Sequence, residues 1–370
     1  MWCQLMREAD SFGFKYADFN QTDGLLFLGD AITSSCEEKD GADAQSQLAY
    51  GYQPRHGKTS PASMLHLLTE TVETIRDMRV ETAREADADD METNLAGIGH
   101  RDESFFGGFA DLETDDCALR LRLTSSQPNE TGAVWRDEGT NVLQGFSTKF
   151  NFQISDLSRA CALVRDASFS SKRYESCSVH GGDGFAFVIH GDDGDRTALG
   201  QGGADLGFGG LQNALAIEFD VWYNAERGDA FEDHVTVLAA GPGETLLARE
   251  ALHLSSPQPT ALADGRIHSA RIVYYPFLNT DLLPFFQITT TGTAYVVDNG
   301  EGYRLGTLGI FIDGNNTHPL VAIPINLSAF LDLEENRAIV GFTSATGRSW
   351  ASHDILSWTF CESHDDADCA

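Results

Sequence analysis

The sequence has few basic residues and no apolar stretch long enough to cross a membrane. Of its 370 residues, 25 are Lys or Arg and 56 are Asp or Glu, so the formal net charge is −31. This charge would repel a phosphate backbone, which argues against nucleic acid as a partner. The most apolar stretch, Leu320 to Leu333, is interrupted and shorter than the roughly 18 to 20 residues that span a bilayer. We therefore expect no transmembrane segment.

Cysteine is scarce and does not follow a metal-binding pattern. The seven cysteines show neither a CxxC motif nor Cys/His zinc spacing, and an odd number leaves at least one unpaired within the chain. Cys161 and Cys177 flank a loop rich in Ser and Arg, and we predict a disulfide between them that contributes about 3 kcal/mol. Other pairings stay open, among them Cys361 with Cys369 and Cys36 with Cys117, which would leave Cys3 free.

The first ten residues lack the basic start and apolar stretch of a secretory signal. Against this, Asn-X-Ser/Thr sequons occur at Asn20, Asn129, Asn315 and Asn326, somewhat more often than chance would place them. We expect residence outside the cell or in the lumen of the secretory pathway, with an incomplete or atypical start.

Thirty-six glycines and 10% aromatic residues favour an all-β chain over a helical bundle. Period-two alternation predicts about a dozen strands, beginning near Phe14 and ending near Phe360, and it includes strands over Phe285–Thr289 and Thr293–Val297. So many strands require two stacked sheets, because a single open sheet would expose an apolar face. The prediction is a jelly-roll β-sandwich of two large antiparallel sheets.

The strand pattern stops over residues 34–112, which we interpret as an acidic, partly helical or disordered insertion. Ser60 and Pro61 form a plausible helix start, and one apolar stripe follows, predicting a single helix near residues 61–80; the stripe consists of Leu65, Leu68, Val72 and Ile75. The predicted domain is thus discontinuous, with residues 11–33 and 113–362 on either side of the insertion and a tail over 363–370.

The most informative segment runs from Ala216 to Asn224 and on to Asp229 and His234. Glu218 and Asp220 are two residues apart, so they project from the same face of a strand. Such a pair needs a cation or a proton unless it faces solvent on an edge strand. The oxygens of Asp220, Asn224 and Asp229 suit calcium, while Glu218 and His234 add the carboxylate and imidazole that manganese or another transition ion prefers.

This segment resembles the metal signature of the legume-type (L-type) lectins, which have a concanavalin-like β-sandwich. The matching residues are Glu218, Asp220, Trp222, Asn224, Asp229 and His234. The resemblance implies that Glu218 and His234 bind the transition metal and that Asp220 and Asp229 bridge both ions. It also implies that Asn224 and the carbonyl of Trp222 complete the calcium site.

Three further segments are similar to the same family: residues 181–189, residues 200–210 and residues 340–360. The resemblance implies a cis peptide between Gly182 and Asp183. It also implies a glycine loop in which Gly203, or Gly202 because the loop differs in length by one residue, offers a backbone N–H to a sugar oxygen. The implied carbohydrate-binding residues are Asp183, Gly203, Trp222, Asn224, Arg348 and Ser349. The sequence does not follow the family at Arg348 and Ser349, which leaves the preferred sugar open.

The function implied is non-catalytic, metal-dependent binding of glycans or glycoproteins, with a homo-oligomer as an option. Two alternatives remain. One is a lectin-like structural or adhesion module that has lost sugar binding. The other is a glycoside hydrolase, which needs a second carboxylate roughly 5 to 5.5 Å from the nucleophile, but an ExDxxE motif would place that acid at Tyr223. Neighbouring Ser352, His353 and Asp354 alternate faces along a strand and cannot form a local triad.

Overall fold

The computed structural model describes residues 13–35, 119–165, 173–191, 197–231, 233–241, 243–297, 305–329, 331, 333 and 337–365. The described strands belong to one compact unit that spans residues 1–49 and 115–370 along the chain. The predicted insertion and its helix lie outside the described residues, so they and the predicted domain boundaries stay predictions. In the described ranges, no helix has the length and apolar character needed to cross a bilayer.

The fold is a sandwich of two eight-stranded sheets whose named strands all pair antiparallel, which confirms the predicted fold class. Sheet A runs in the order β16 (Val321–Ile325), β15 (Gly306–Ile312), β14 (Ile267–Tyr275), β7 (Phe146–Ser155), β18 (Ser352–Cys361), β4 (Arg120–Thr124) and β3 (Ile32–Ser34), with β1 (Gly13–Tyr16) paired to β18. Sheet B runs in the order β13 (Gln258–Pro259), β12 (His234–Ala240), β11 (Ala214–Asp220), β10 (Gly184–Gly191), β17 (Arg337–Ala345), β5 (Thr131–Arg136) and β2 (Leu25–Gly29), with β6 (Thr140–Asn141) paired to β17.

A third, two-stranded sheet consists of β8 (Ser158–Arg165) and β9 (Arg173–His180). Short 3-10 turns connect the strands, at Gly203–Asp205, Ala225–Arg227, Glu250–Leu252, Thr280–Phe285, Gly292–Tyr295 and Leu327–Ala329.

The main core lies between the two large sheets and is rich in phenylalanine. Alternate residues of β10 and β11, such as Phe185, Phe187 and Phe219, point into it, and the rings of Phe185 and Phe219 stack with centroids 4.6 Å apart. The opposite face of these strands is also apolar. Leu206, Phe208 and other loop residues cover Ala186, Ala216 and their neighbours there, so the outer face of sheet B is buried as well.

The predicted strands over Phe285–Thr289 and Thr293–Val297 do not form. Phe285 ends the 3-10 turn Thr280–Phe285, Phe286 and Ile288 make only isolated bridges, and a 3-10 turn covers Gly292–Tyr295. The hydroxyl of Thr289 accepts a bond from the N–H of Gly292, and the hydroxyl of Thr293 donates to the carbonyl of Thr290. Such local side-chain bonds compete with a strand ladder. Conversely, sequence analysis did not assign β16, whose Pro324 argues against a strand but is tolerated at the edge of sheet A.

Candidate metal centre and adjoining cleft

The predicted metal ligands begin on adjacent strands of sheet B. Asp220 of β11 lies directly across from His234 of β12. Since Ile217, Phe219 and Val235 point into the main core, the alternation turns Glu218, Asp220 and His234 toward the outer face. These three side chains are almost fully buried, and each offers a ligand atom within 4.8 Å of the others.

The loop between β11 and β12, which we call the metal loop, brings Asp229 next to these three side chains. One Asp229 oxygen accepts a hydrogen bond from the N–H of Asn224 at 3.0 Å, and the other lies 3.2 Å from Nε2 of His234. The N–H of Trp222 donates to Asp220 at 2.6 Å. All six residues predicted to bind metal therefore lie in one connected group.

Gly228 makes this return possible. Its φ of +76° lies in the left-handed region, and a Cβ there would lie 2.6 Å from a carboxylate oxygen of Glu250. A larger residue at this position would be strained by its φ and would have to displace the Glu250 side chain.

Burial and mutual repulsion make this group unfavourable for free carboxylates. Burial, with smaller effects of Asp229 and Asp205, raises the pKa of Glu218 to about 8. Burial, Glu218 and Asp229 likewise raise the pKa of Asp220 well above its ordinary value. Oε1 of Glu218 has no hydrogen-bond partner among the described residues. A buried charge needs a counter-ion, so the cluster holds either protons or cations.

The donor set fits divalent ions. Carboxylate oxygens are the ligands that calcium prefers, and a carboxylate combined with imidazole suits manganese or another transition ion. The unpartnered oxygen of Glu218 is available as a metal ligand. His253, which sequence analysis did not single out, lines the same small cavity as Glu218 and Asp229. Burial, with a smaller effect of His234, lowers the pKa of His253 to about 4, so this imidazole is neutral near pH 7.

Next to this cluster of candidate metal ligands, the peptide bond between Gly182 and Asp183 is cis, as the family resemblance implies. The backbone of Asp183 is held between strand ends, since its N–H donates to the carbonyl of Ala345 at 2.9 Å and its carbonyl accepts from Val221 at 3.0 Å. The side chain is buried, and its Oδ2 has no hydrogen-bond partner among the described residues. Burial raises the pKa of Asp183 to about 7.

Two glycines from different loops line the space beside this carboxylate. A Cβ on Gly347 would lie 2.9 Å from Oδ2 of Asp183, and a Cβ on Gly203, where φ is +62°, would lie 3.9 Å from it. A Cβ on Gly182 would lie 2.9 Å from the carbonyl oxygen of Ser349. Asp183, Gly203 and Ser349 of the predicted carbohydrate site are thus brought together around an open hydrogen-bond acceptor.

The other predicted carbohydrate residues lie on the segments that follow β11 and β17. Arg348 is exposed beside Ser349, and Asn224 lies in the metal loop. Trp222 is half-buried, with its ring edge-on to His180 at a centroid distance of 6.2 Å. Tyr223 is 45% exposed and packs edge-on against Phe231.

Sequence analysis missed an ion pair that joins the two loops of the site. Both oxygens of Asp205, in the glycine loop, accept from the guanidinium of Arg227, in the metal loop, at 3.1 Å. The Asp205 side chain is 4% exposed and also accepts from the N–H of Ala248 at 3.0 Å. The two residues lie in separate loops, so no local spacing could have indicated the pair.

Cys161 and Cys177 form a disulfide across β8 and β9, with their Cα atoms 4.0 Å apart. Cys361 is disulfide-bonded as well. The other cysteines, including Cys36, Cys117 and Cys369, lie outside the described residues.

Comparisons with known proteins find similar sequences among the legume-type lectins. A sequence profile of the legume lectin domain matches residues 299–369. A probable L-type lectin-domain containing receptor kinase I.2 of Arabidopsis thaliana is 24% identical over 272 residues, and a probable L-type lectin-domain containing receptor kinase VII.2 of the same plant is 27% identical over 194 residues. This chain is related to the legume-type lectins.

The matches cover 71% and 50% of this chain, but only 34% and 24% of the two kinases, so the chain corresponds to a fraction of their length. Among solved structures, the lectin from Bauhinia forficata in complex with GalNAc is 15% identical, with a TM-score of 0.44 and coverage of 95% of this chain and 97% of that one. Basic winged bean lectin with Tn-antigen is 20% identical, with a TM-score of 0.40 and coverage of 65% and 86%. The exoplasmic/lumenal domain of VIP36 in its Ca2+/Man3GlcNAc-bound form is 15% identical, with a TM-score of 0.42 and coverage of 65% and 78%.

Proposed function

We propose that this protein is a non-catalytic lectin that binds glycans or glycoproteins when calcium and a transition ion such as manganese are bound. The observation that carries this proposal is the buried carboxylate of Asp183, which has an unpartnered oxygen facing Gly203 and Gly347 beside the metal cluster. Adjacent sugar hydroxyls are donors that a carboxylate can accept in pairs. The glycines leave space for a sugar ring to approach the backbone.

In this proposal each of the clustered side chains has one task. Glu218 and His234 would hold the transition ion, and Asp220 and Asp229 would contribute ligands to both ions. Asn224 and the carbonyl of Trp222 would hold calcium. Bound ions would supply the positive charge that keeps these buried carboxylates ionised and would fix the loop that carries Asn224. Trp222 offers a half-buried ring for the apolar face of a sugar.

The test is glycan-array binding of wild type and Asp183→Asn, each measured in calcium plus manganese and in EDTA. Two charge-assisted hydrogen bonds are together worth about 3 to 6 kcal/mol, so the Asn variant should lose at least 100-fold in affinity. Asp281→Asn, an exposed aspartate in the turn Thr280–Phe285, is the matched control and should bind like wild type.

Three results would separate the alternatives. Metal uptake without glycan binding would identify a sugar-inactive structural or adhesion module. Turnover of reporter glycosides would identify a hydrolase. Binding that persists in EDTA, or in Asp183→Asn, would contradict the assigned site.

Residence outside the cell or in the lumen of the secretory pathway belongs to the same proposal. Three of the four sequons have exposed asparagines: Asn20, Asn129 and Asn315. Asn326 is 1% exposed, and its side-chain amide donates to the carbonyl of Val297 at 2.9 Å, so it is not accessible to a glycosyltransferase in the folded chain. Glycosidase treatment of secreted protein should therefore remove glycans from at most three of these sites.

A single sugar site binds weakly, and the overall affinity rises when several linked sites bind one glycan-bearing partner at once. We therefore also propose that the chain self-associates. Sedimentation analysis at micromolar concentration tests this. A monomer that still binds multivalent glycans tightly would contradict it.

A further inference from the structure

The two-stranded sheet of β8 and β9 is an arm that belongs to neither large sheet. Eight residues in each strand give it a length of about 25 Å, and the disulfide between Cys161 and Cys177 joins its strands. Its described residues are mostly exposed, including the apolar side chains of Leu163 at 55% and Val179 at 56%. The sandwich does not need this arm for its core.

The start of the arm is hydrogen-bonded to the loop that follows β17 and contains Arg348 and Ser349. The N–H of Ser158 donates to the carbonyl of Trp350 at 2.8 Å, and the N–H of Trp350 donates to the Ser158 hydroxyl at 3.2 Å. That hydroxyl donates in turn to the carbonyl of His180 at 2.7 Å. One serine therefore ties both strands of the arm to the segment that contains Arg348 and Ser349.

The end of the arm leads directly into the cleft. His180, the last residue of β9, is three residues before Asp183, and its ring lies edge-on to Trp222. A Cβ on the intervening Gly181 would lie 3.0 Å from Leu157 and 3.5 Å from Val221, so the chain is closely packed at this junction. The arm is therefore continuous with the cleft on the sides of Trp222 and Ser349.

The strand register gives the arm two different faces. His180 pairs with Ser158, Ser178 with Ala160, and Ser176 with Ala162, so two hydroxyls and an imidazole lie in a row on one face. The Ser178 hydroxyl also donates to the carbonyl of Ala160 at 3.5 Å, and its lone pairs stay available as acceptors. The other face carries the disulfide, Leu163, Val179 and the guanidinium of Arg159, which donates to Sγ of Cys177 at 3.2 Å. The first face offers hydrogen-bond donors and acceptors in a line that begins next to Trp222.

We propose that this serine and histidine face, formed by Ser176, Ser178 and His180, is an extended subsite for neutral oligosaccharides. The terminal sugar occupies the cleft at Asp183, and the following sugars lie along the arm. Hydroxyl and imidazole groups match the hydroxyls of neutral sugars, whereas the charged Arg159 lies on the opposite face. This inference rests on the proposed function, because the arm extends the site that Asp183 defines.

The experiment compares monosaccharides with oligosaccharides on the full-length, metal-loaded protein. The probes are mannose, galactose, N-acetylgalactosamine and N-acetylglucosamine, together with their di- to pentasaccharides, measured on an array and then by calorimetry. One variant replaces residues 160–178 with an Asn-Gly turn that joins Arg159 to Val179, which are paired across the arm. A second, milder variant is Ser176→Ala/Ser178→Ala. The matched control, Arg159→Ala/Val179→Ala, changes the opposite face.

We expect wild type to bind a cognate oligosaccharide at least tenfold more tightly than its terminal monosaccharide. The shortened arm should bring this ratio to within twofold of one and leave the monosaccharide affinity unchanged. The double serine variant should lower the ratio at least threefold, and the control should keep it.

Three outcomes would overturn the inference: equal affinity for both ligand sizes in wild type, an unchanged ratio in the double serine variant, or a sulfated or sialylated ligand whose binding depends on Arg159. If the shortened protein does not fold, the double serine variant decides the question. Failure of the proposed function is distinguishable, because wild type would then bind no probe in calcium and Asp183→Asn would change nothing.

Discussion

The ion pair between Asp205 and Arg227 should stabilise the site because it closes the glycine loop onto the metal loop. Arg227→Met removes both guanidinium hydrogen bonds to Asp205. Oδ2 then loses its donor, whereas Oδ1 keeps the N–H of Ala248. Breaking one side of a buried pair costs about 3 to 5 kcal/mol. The Arg227 side chain is 31% exposed, so water can reach the vacated position, and we expect a loss of about 2 to 3 kcal/mol.

The assay is urea unfolding at saturating calcium, with Arg227→Met, Asp205→Asn and the double variant forming a thermodynamic cycle. The coupling energy should be about 1 to 3 kcal/mol, and glycan affinity should fall in both single variants because Gly203 lies in the loop that the pair holds. The control is Arg266→Met, which removes an ion pair with Asp264 in which Arg266 is 75% exposed, so the change should be within about 1 kcal/mol. Single variants that unfold like this control, or a coupling energy near zero, would refute the reasoning.

Two further predictions concern the metal group. Asp229→Asn should abolish the rise in melting temperature that calcium gives wild type, because ligand binding to the folded state stabilises it; Glu226→Gln, an exposed acid in the same loop, should keep the rise. In EDTA, the free energy of unfolding should fall as the pH rises from about 6.5 to about 8. Glu218 and Asp183 have folded pKa values of about 8 and about 7 against ordinary values of 4.5 and 3.8, so their folded forms bind more protons than the unfolded chain in this range. Below pH 6.5 the buried His253 and His353, whose pKa values are lowered, act in the opposite direction. Urea unfolding at about pH 6.5, 7 and 8 measures the fall. Stability in EDTA that rises with pH would show that these carboxyls are not buried as described.

The clustering of the proposed metal ligands could be predicted because these residues are close along the chain. Glu218 and Asp220 share a face by strand alternation alone, and the ligands that follow, through His234, lie on the next loop and the start of β12. The alternating strands of both sheets were predictable for the same reason. The partner of Arg122 was not. Its guanidinium contacts Asp354, 232 residues away, at 2.8 Å, and only the pairing of β4 with β18 brings these residues together.

Burial of the site could not be predicted from alternation either. A strand face that carries Glu218 and Asp220 among alanines gives no sign of being covered. The loop that contains Leu206 and Phe208 packs with the alanines, and Ala204, Arg227 and His253 line the cavity beside the two carboxyls. The raised pKa values of the carboxyls follow from that cover rather than from the strand itself. The same is true of the 3-10 turns near Thr289, where side-chain bonds to the backbone replaced a predicted strand.

The loop that contains Gly203, Asp205 and Phe208 connects three parts of the proposed site. Its Ala204 lines the cavity beside Glu218 and Asp220, together with Arg227 and His253 from other segments. Burial raises the pKa values of both carboxyls, so the metal-free cluster holds protons. The same loop carries Gly203, which lies beside Asp183, and Asp205, which binds Arg227. Asp183 in turn contributes to the raised pKa of Asp220, so these carboxyls share one poorly solvated region. Under the proposed function, loading with metal would therefore release protons, and the release should depend on whether Asp183 is ionised.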